Sequence, residues 1–431
     1  MVVMAAKHVL VSGASVAGPA LAYWLVRAGC KVTVVERAPS LRVTGQGLDI
    51  RDAARDVVKR MGIFEQMLEK SSHEEGMEFI DNKKRCYARF GVEDESGRGG
   101  GMTCDIEILR GEIAKLLFDL TKEDVSYIFN DMVESLEETK EQVKVNFANG
   151  TPTTAFDLVV AADGIGSKIR SLAFGNGSTP IKSLHSYCSY FSIPRIETDT
   201  MLAQVHHTKN GRVLATRPDN VGLTRACLIL TAYDESDKRL VRLEKASKEG
   251  VSEQKALIQE LFQDAGWESS RILKGMHESD DFYFQNVAQV RLDRWSSGRV
   301  AVVGDAAYAC SPFAGMGTSM SFIGAYVLAG EISRQLNNIQ SALENYDRVL
   351  RRYVEGIQKL PPGVPWIVFP QSMLGIKILQ AFIRTAAILS RSRLATVFYT
   401  LSEYLPSFGP SFELPEYDAF KQYESAQKKI S

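Results

Sequence analysis

The hydrophobic pattern changes period several times along the chain. His8–Ser12 is a short valine-rich run that predicts a buried strand. Ala17, Leu21, Trp24, Leu25 and Ala28 then recur at helical spacing until Gly29, and Lys31–Glu36 (KVTVVE) returns to a β-branched strand. Two strands joined by a helix imply a parallel, right-handed unit with both sheet faces covered. Val9–Val26 carries no charge and has the length of a signal core or membrane span. Gly13, Gly18 and Pro19 interrupt it and no A-x-A box follows, so it reads as strand, turn and helix, with no targeting signal.

Further along, Asp52–Met67 and Arg110–Leu120 predict helices, with a charged, glycine-rich surface loop at Glu93–Met102 between them. Val125–Asn149 predicts the strands of a meander, and Phe156–Ala161 another buried strand with a helix from about Ser167. From Ser183 to Asn286 short alternating strands such as Ala226–Ala232 surround a charged helix near Lys248–Asp264, as in a separate α+β domain inserted into the first. Arg299–Val303 is again a strand, followed by a long helix from about Gly317 to Leu336. Seven of the 14 prolines lie at or beyond Pro361, and Leu360–Ile376 carries no charge. Pro361, Pro362, Pro365 and Pro370 forbid a regular spanning helix there. Ile376–Leu394 is helical in pattern, broken by Lys377, Arg384, Arg391 and Arg393. The main reading of this tail is a C-terminal helix pair packed on the body. The lesser one is an apolar flap beside a hydrophobic substrate site, or a surface touching a membrane.

Composition narrows the function classes. At roughly 150 residues per domain, 431 residues imply two or three domains. Hydrophobic residues at 45% and charged residues at 24% are ordinary for a soluble globular chain. The 51 Lys and Arg against 52 Asp and Glu leave no electrostatic footprint for nucleic acid and no polybasic anchor. The six cysteines are scattered without a C-x-x-C pair, so neither a disulfide scaffold nor a metal site is expected, and a cytoplasmic location is.

Three glycine-and-acid turns carry the candidate chemistry. Gly13-Ala-Ser-Val-Ala-Gly18 follows a strand and opens a helix, so the N–H groups around Ser15, Val16 and Ala17 face a pyrophosphate at a helix N-terminus. Ser15 stands where the usual fingerprint has its middle glycine. Glu36, ending the second strand beside Arg37, is placed to bind a ribose diol and repel a 2′-phosphate, which selects the ADP part of FAD or NAD over NADP. Asp163-Gly164-Ile-Gly-Ser167 forms the second turn. The third is Gly304-Asp305-Ala-Ala with Ser311-Pro312-Phe-Ala-Gly315-Met-Gly317, where Asp305 can meet a polyol hydroxyl and the glycines admit a flat ring. Any one of them alone could be an ordinary turn with an N-cap aspartate.

Together and in this order, with Trp295 and Gly298-Arg-Val ahead of the third, the turns resemble the class A flavin-dependent monooxygenases, the family of para-hydroxybenzoate hydroxylase and the tetracycline-inactivating oxygenases. The likeness spans about residues 7 to 345. It implies an α/β fold: a Rossmann-like FAD-binding domain over 1–75, 104–182 and 285–345, an inserted α+β substrate domain over 76–103 and 183–284, and a C-terminal helical segment over 346–431. It also implies Gly13, Ser15 and Gly18 at the FAD pyrophosphate, Glu36 at the ribose, and Arg42, before Gly45-Gln-Gly47, and Arg110 on FAD. Asp163 would support the dinucleotide surroundings and Asp305 the ribityl chain, with Pro312, Gly315 and Gly317 along the ring. Tyr308 replaces a usual histidine, Met316 a common glutamine and Ser319 a frequent asparagine, changes expected to affect flavin-edge contacts more than the fold.

The implied activity is insertion of one oxygen atom from O2 into a hydrophobic, aromatic or polycyclic molecule, with NADPH docking transiently to reduce FAD. Tyr190, His206 and Arg225 are candidates for polar substrate contacts, although each taken singly reads more readily as structural. If the substrate is a phenol, something must help to deprotonate it, and no residue in the sequence announces that role. Two other readings stay open: a flavin-dependent reductase, and a non-catalytic carrier of a lipidated partner. A flavin-dependent halogenase is disfavoured, because the four tryptophans form no W-x-W pair.

Overall fold

Valines that are apolar on both sides of the strand dictate a sheet covered on both faces, and that is what the first strands build. Val9, Val11, Val32, Val34 and Val35 are buried, and the helix Ala17–Arg27 packs Leu21, Trp24 and Leu25 against them. The computed structural model describes residues 6–93, 103–175, 180–360, 363–390 and 411–421. Five parallel strands lie in the order Val300–Val302, Leu158–Ala161, His8–Ser12, Lys31–Glu36, Ser126–Phe129, with Ser296–Ser297 antiparallel on the outer edge. A small antiparallel sheet of Val133–Glu138, Val143–Phe147 and Thr154–Phe156 adds Val133, Val143 and Val145 to the same core. The expected meander is therefore divided: its first strand, Ser126–Phe129, pairs with Lys31–Glu36, and only the rest is antiparallel.

A second sheet of seven strands runs Tyr283–Val290, Ile181–Pro194, Leu223–Thr231, Arg212–Pro218, Ala203–Thr208, Met77–Ile80, Cys86–Phe90. Alternation gives it two unlike faces. Tyr187, Phe191, Leu214, Ala226 and Leu228 pack under helices Lys238–Ser247, Val251–Phe262 and Ser269–Glu278, three helices where one was expected. Cys188, Tyr190, Ala215, Arg217, Arg225 and Cys227 alternate to the opposite face. The ladder of Gly47–Asp49 with Glu107–Leu109 lies between that face and the first domain. The expected helix Asp52–Met67 is two, Ala54–Met61 and Phe64–Glu69, because Gly62 at φ 74° caps the first.

Helix Ile339–Gln358 packs on the long helix Gly317–Arg334, whereas helix Met373–Ser390 lies on the second sheet through Ile383, Ala386 and Ala387 against Phe79, Ala88 and Phe90. The two thus attach to different parts of the molecule. Met373–Ser390 is, among the described residues, the one helix long and apolar enough to cross a membrane, and Leu374, Ile378 and Phe382 on it are exposed. Residues 411–421 return to the first domain and bury Tyr417 and Phe420 in its core. Residues 94–102 of the expected surface loop, Pro361, Pro362, and the end of the expected last helix with Arg391 and Arg393 lie outside the described residues.

Candidate active site

All three turns leave the carboxyl ends of neighbouring parallel strands, the edge at which open α/β sheets bind ligands. They touch one another. Gly13, at φ +109°, has no room for a side chain: a Cβ there would sit 2.5 Å from the Ala162 carbonyl oxygen of the second turn. Gly304, at φ +63°, would place a Cβ 2.9 Å from the Ala17 Cβ of the first helix, so the third turn presses on the first. Arg170 ties the second turn to the third, donating to the Ala306 carbonyl at 2.9 Å and to that of Ile165 at 2.6 Å.

Within this knot the sequence-derived residues have distinct surroundings. The helix opening at Ala17 has no side-chain cap and no acid in its first turn, which leaves its N–H groups available to an anion beside Ser15. Ser15 Oγ accepts from Arg110 Nε at 2.9 Å, so Arg110 reaches the same place from its own helix. Glu36 accepts from the Ala14 N–H at 2.8 Å and from the Ala38 N–H at 3.0 Å, one bond per oxygen. It therefore shapes the turn and keeps a lone pair on each oxygen for a diol. Arg37 and Arg42 are exposed. The Arg42 segment crosses the start of the Arg110 helix so closely that a Cβ on Gly111 would meet the Val43 carbonyl oxygen at 1.9 Å.

Asp163 accepts from the Lys168 N–H at 3.1 Å, while its Oδ1 is buried with no protein partner. Its burial pushes the carboxyl up, against nearby N–H donors and Ser167 that hold it down. Asp305 keeps solvent-reachable surface although protein atoms crowd it; that crowding raises its carboxyl, and Arg110 opposes the rise. Pro312 and Gly315 are exposed, Gly317 is half-buried, and a Cβ on Gly317 would stand 3.8 Å from Asp305 Oδ1. The loop thus lies open above Asp305, with room for a planar group. Tyr308 corrects an expectation. It is a core residue, its hydroxyl 3.0 Å from that of Tyr346 and its ring against Trp295, so the exchange for histidine alters packing and not the flavin edge. Ser319 accepts from the Arg51 N–H at 2.9 Å.

The substrate candidates separate. His206 corrects an expectation: it sits on the helix-covered face, buried against Trp267 with Nδ1 3.0 Å from the Ile80 carbonyl, away from the turns. Arg225 is on the inner face, but Asp219 at 2.8 Å, Asp281 at 3.1 Å and Ser192 at 2.6 Å occupy its guanidinium. Tyr190 is on the inner face with open surface, next to Cys188 and Cys227, and burial holds its hydroxyl well above the ordinary phenol range. The uncharged stretch before the last helix is near the third turn: Phe369 packs against Phe313 with rings tilted by 45° and centroids 5.2 Å apart, and backbone bonds from Asn210 and Gly211 anchor Gln371 and Pro370 to the second sheet.

Sequence reasoning passed over a cluster at the junction of the two sheets. Arg217 donates to both oxygens of Glu74, at 3.0 and 3.2 Å, and forms an ion pair with Glu107. Glu74 and Glu107 are buried, whereas the Arg217 side chain stays 30% exposed on the inner face. Asp49 faces the same cluster, held by Arg51 at 2.8 Å, with its Oδ1 unpartnered. Burial first, and then Glu74 and Asp49, push the Glu107 carboxyl up to about 8 against the pull of Arg217. The only local signal was an acid three residues before Arg110 on an apolar strand, with partners far away in sequence.

The chain matches the family model described as FAD binding domain over residues 6–358. It is 32% identical over 426 residues to monooxygenase CTB7 of Cercospora beticola, covering 96% of this chain and 98% of that one. It is 34% identical over 429 residues to the FAD-dependent monooxygenase asL6 of Sarocladium schorii, covering 95% and 97%. Among solved structures, tetracycline destructase Tet(51) superposes with a TM-score of 0.73 at 30% identity, covering 96% of this chain and 99% of that one. A Rossmann-type sheet with three converging turns and an appended, mostly antiparallel sheet is the architecture of a flavoprotein hydroxylase. The chain belongs to the FAD-binding-domain family of flavin-dependent monooxygenases, and its cofactor is FAD. The residues present fit it: an uncapped helix start, an unpartnered carboxylate oxygen on Asp163 and an open loop over Asp305.

Proposed function

We propose that this enzyme uses NADPH and O2 to place one oxygen atom on a hydrophobic, hydroxylated aromatic or polycyclic small molecule. The observation that carries the reading is the convergence of the three turns at one edge of the parallel sheet, and Tyr190, Cys227 and the half-open Arg217 on the face of the second sheet left free of helices support it. Gly13, Ser15, Val16, Ala17 and Gly18 hold the pyrophosphate of FAD and Glu36 the adenosine ribose, with Arg42 and Arg110 supplying positive charge. Asp305 takes the ribityl chain, and Pro312, Gly315 and Gly317 line the ring. When bound, FAD supplies the redox chemistry, taking a hydride from NADPH and activating oxygen. The protein contributes position and dryness: Phe313, Phe369 and the sheet face exclude water from the reacting edge. Glu36 repels a 2′-phosphate, so NADPH docks elsewhere and transiently.

The test is NADPH oxidation by the FAD-loaded enzyme against a panel of hydroxylated polycyclic aromatics under isotopically labelled oxygen. One labelled atom in a product is expected. Reduction of the organic compound without label would convert the reading to a reductase, and a colourless protein that fails to take up FAD would make it a carrier.

A further inference from the structure

Helix Met373–Ser390 has one covered face and one bare face. Ile376, Leu379 and Ala387 are buried, and Ile383 joins Ala387 in the cluster around Phe79, Ala88 and Phe90. Leu374, Ile378, Phe382, Ile388 and Leu389 are between 47% and 70% exposed, and helical spacing gathers them into one stripe on the opposite side. A single exposed leucine is ordinary on a protein surface, whereas five large apolar side chains on one stripe form a patch that water opposes. The helix has the length and hydropathy to cross a bilayer, but its other face is committed to the second sheet. It is built to lie on an apolar layer and not to pass through one. Lys377 and Arg384, seven residues apart, stand exposed along one edge of the stripe, and no described carboxylate pairs with either. In sequence, no Asp or Glu occurs between Glu355 and Glu403, whereas Lys359, Lys377, Arg384, Arg391 and Arg393 do, in a chain that as a whole balances 51 bases against 52 acids. The patch is therefore apolar and cationic at once. A second copy paired through the same face would bring two acid-free stretches together, with no carboxylate to answer the bases. An anionic lipid surface offers both an apolar layer and negative charge.

We propose that Met373–Ser390 docks the protein on the surface of an anionic lipid bilayer, its bare stripe sunk at the boundary of headgroups and acyl chains and Lys377 and Arg384 reaching back to the lipid phosphates and carboxylates. The methylene stems of the two bases lie along the apolar layer while their charged heads stay at the interface. Each base near such a surface raises partitioning by about fivefold, and the apolar stripe supplies the part that salt does not screen. Neither contribution disturbs the packed face, so the helix keeps its place on the second sheet while it binds. Docking needs no turnover and holds or fails apart from the oxygenase chemistry.

The test is flotation of the full-length, FAD-loaded protein with vesicles of phosphatidylcholine alone and of phosphatidylcholine with about 30% phosphatidylserine. Wild type is expected to float with the anionic vesicles, about tenfold or more tightly than with the neutral ones, and to be released in part as salt rises. Joint replacement Lys377→Gln and Arg384→Gln is expected to bring binding to the anionic vesicles down to the neutral level. Phe382→Glu is expected to lose about tenfold or more on the anionic vesicles with FAD content and Tm unchanged, and Phe382→Leu to keep most of the binding. Wild type that stays unbound overturns the assignment, as does equal partitioning to both vesicle types or a Phe382→Glu protein that floats like wild type. A dimer that Phe382→Glu dissolves, in a protein that ignores vesicles, gives the face to a second copy and also overturns it. NADPH oxidation without vesicles, measured on the same preparations, reports on the oxygenase separately.

Discussion

Gly304 joins the third turn to the helix that opens the first, and its left-handed φ together with the 2.9 Å approach to Ala17 makes any side chain there costly twice. Gly304→Ala is expected to weaken FAD binding by about tenfold or more, the equivalent of roughly 1.4 kcal/mol, read by fluorescence titration of the apoprotein. Glu107 makes a second residue-scale prediction, on stability. Its carboxyl lies near 8 in the folded chain against 4.5 for an ordinary glutamate. Below about pH 4.5 both states hold the proton, and between there and about pH 8 only the folded state does. Stability drawn from this group is therefore lost as pH rises through that window. The Tm of wild type should fall relative to that of Glu107→Gln between about pH 5 and about pH 8. The turns were legible in the sequence because each is a run of consecutive residues whose backbone geometry its own glycines and acids dictate. Arg217, Glu74 and Glu107 were not, because three distant segments assemble that cluster and no spacing encodes it.

At the scale of elements, helix Met373–Ser390 shows what an apolar pattern alone leaves open. Its sequence predicts a helix, but not which domain it leans on. Ile383, Ala386 and Ala387 choose the second sheet by meeting Phe79, Ala88 and Phe90, while Phe382 stays 70% exposed. Ile383→Ala should cost about 2 kcal/mol by emptying that contact, and Phe382→Glu should stay within about 0.5 kcal/mol, both by chemical denaturation. Boundaries were legible where a stop signal was strong, as at Gly29. They failed where a single glycine had to be weighed inside an otherwise continuous pattern. Gly62 splits one expected helix into two because its left-handed conformation ends the first.

The whole molecule is stitched from segments far apart in sequence. The parallel sheet places Val300–Val302 beside Leu158–Ala161, and nothing in either run specifies that neighbour. What could be read was the kind of sheet, from strands apolar on both sides, and the common edge, from turns that each follow a strand. The last described residues carry this furthest: Phe420 packs against Trp24 with rings tilted by 43° and centroids 4.7 Å apart, and Tyr417 meets Tyr326 at 5.3 Å. Phe420→Ala is expected to remove about 3–5 kcal/mol, measured as a drop in Tm. During synthesis, then, the helix that greets the coenzyme must wait for the tail before its aromatic back is covered. A ribosome stalled near residue 400 would display a half-clad domain, a natural client for chaperones until those final rings arrive.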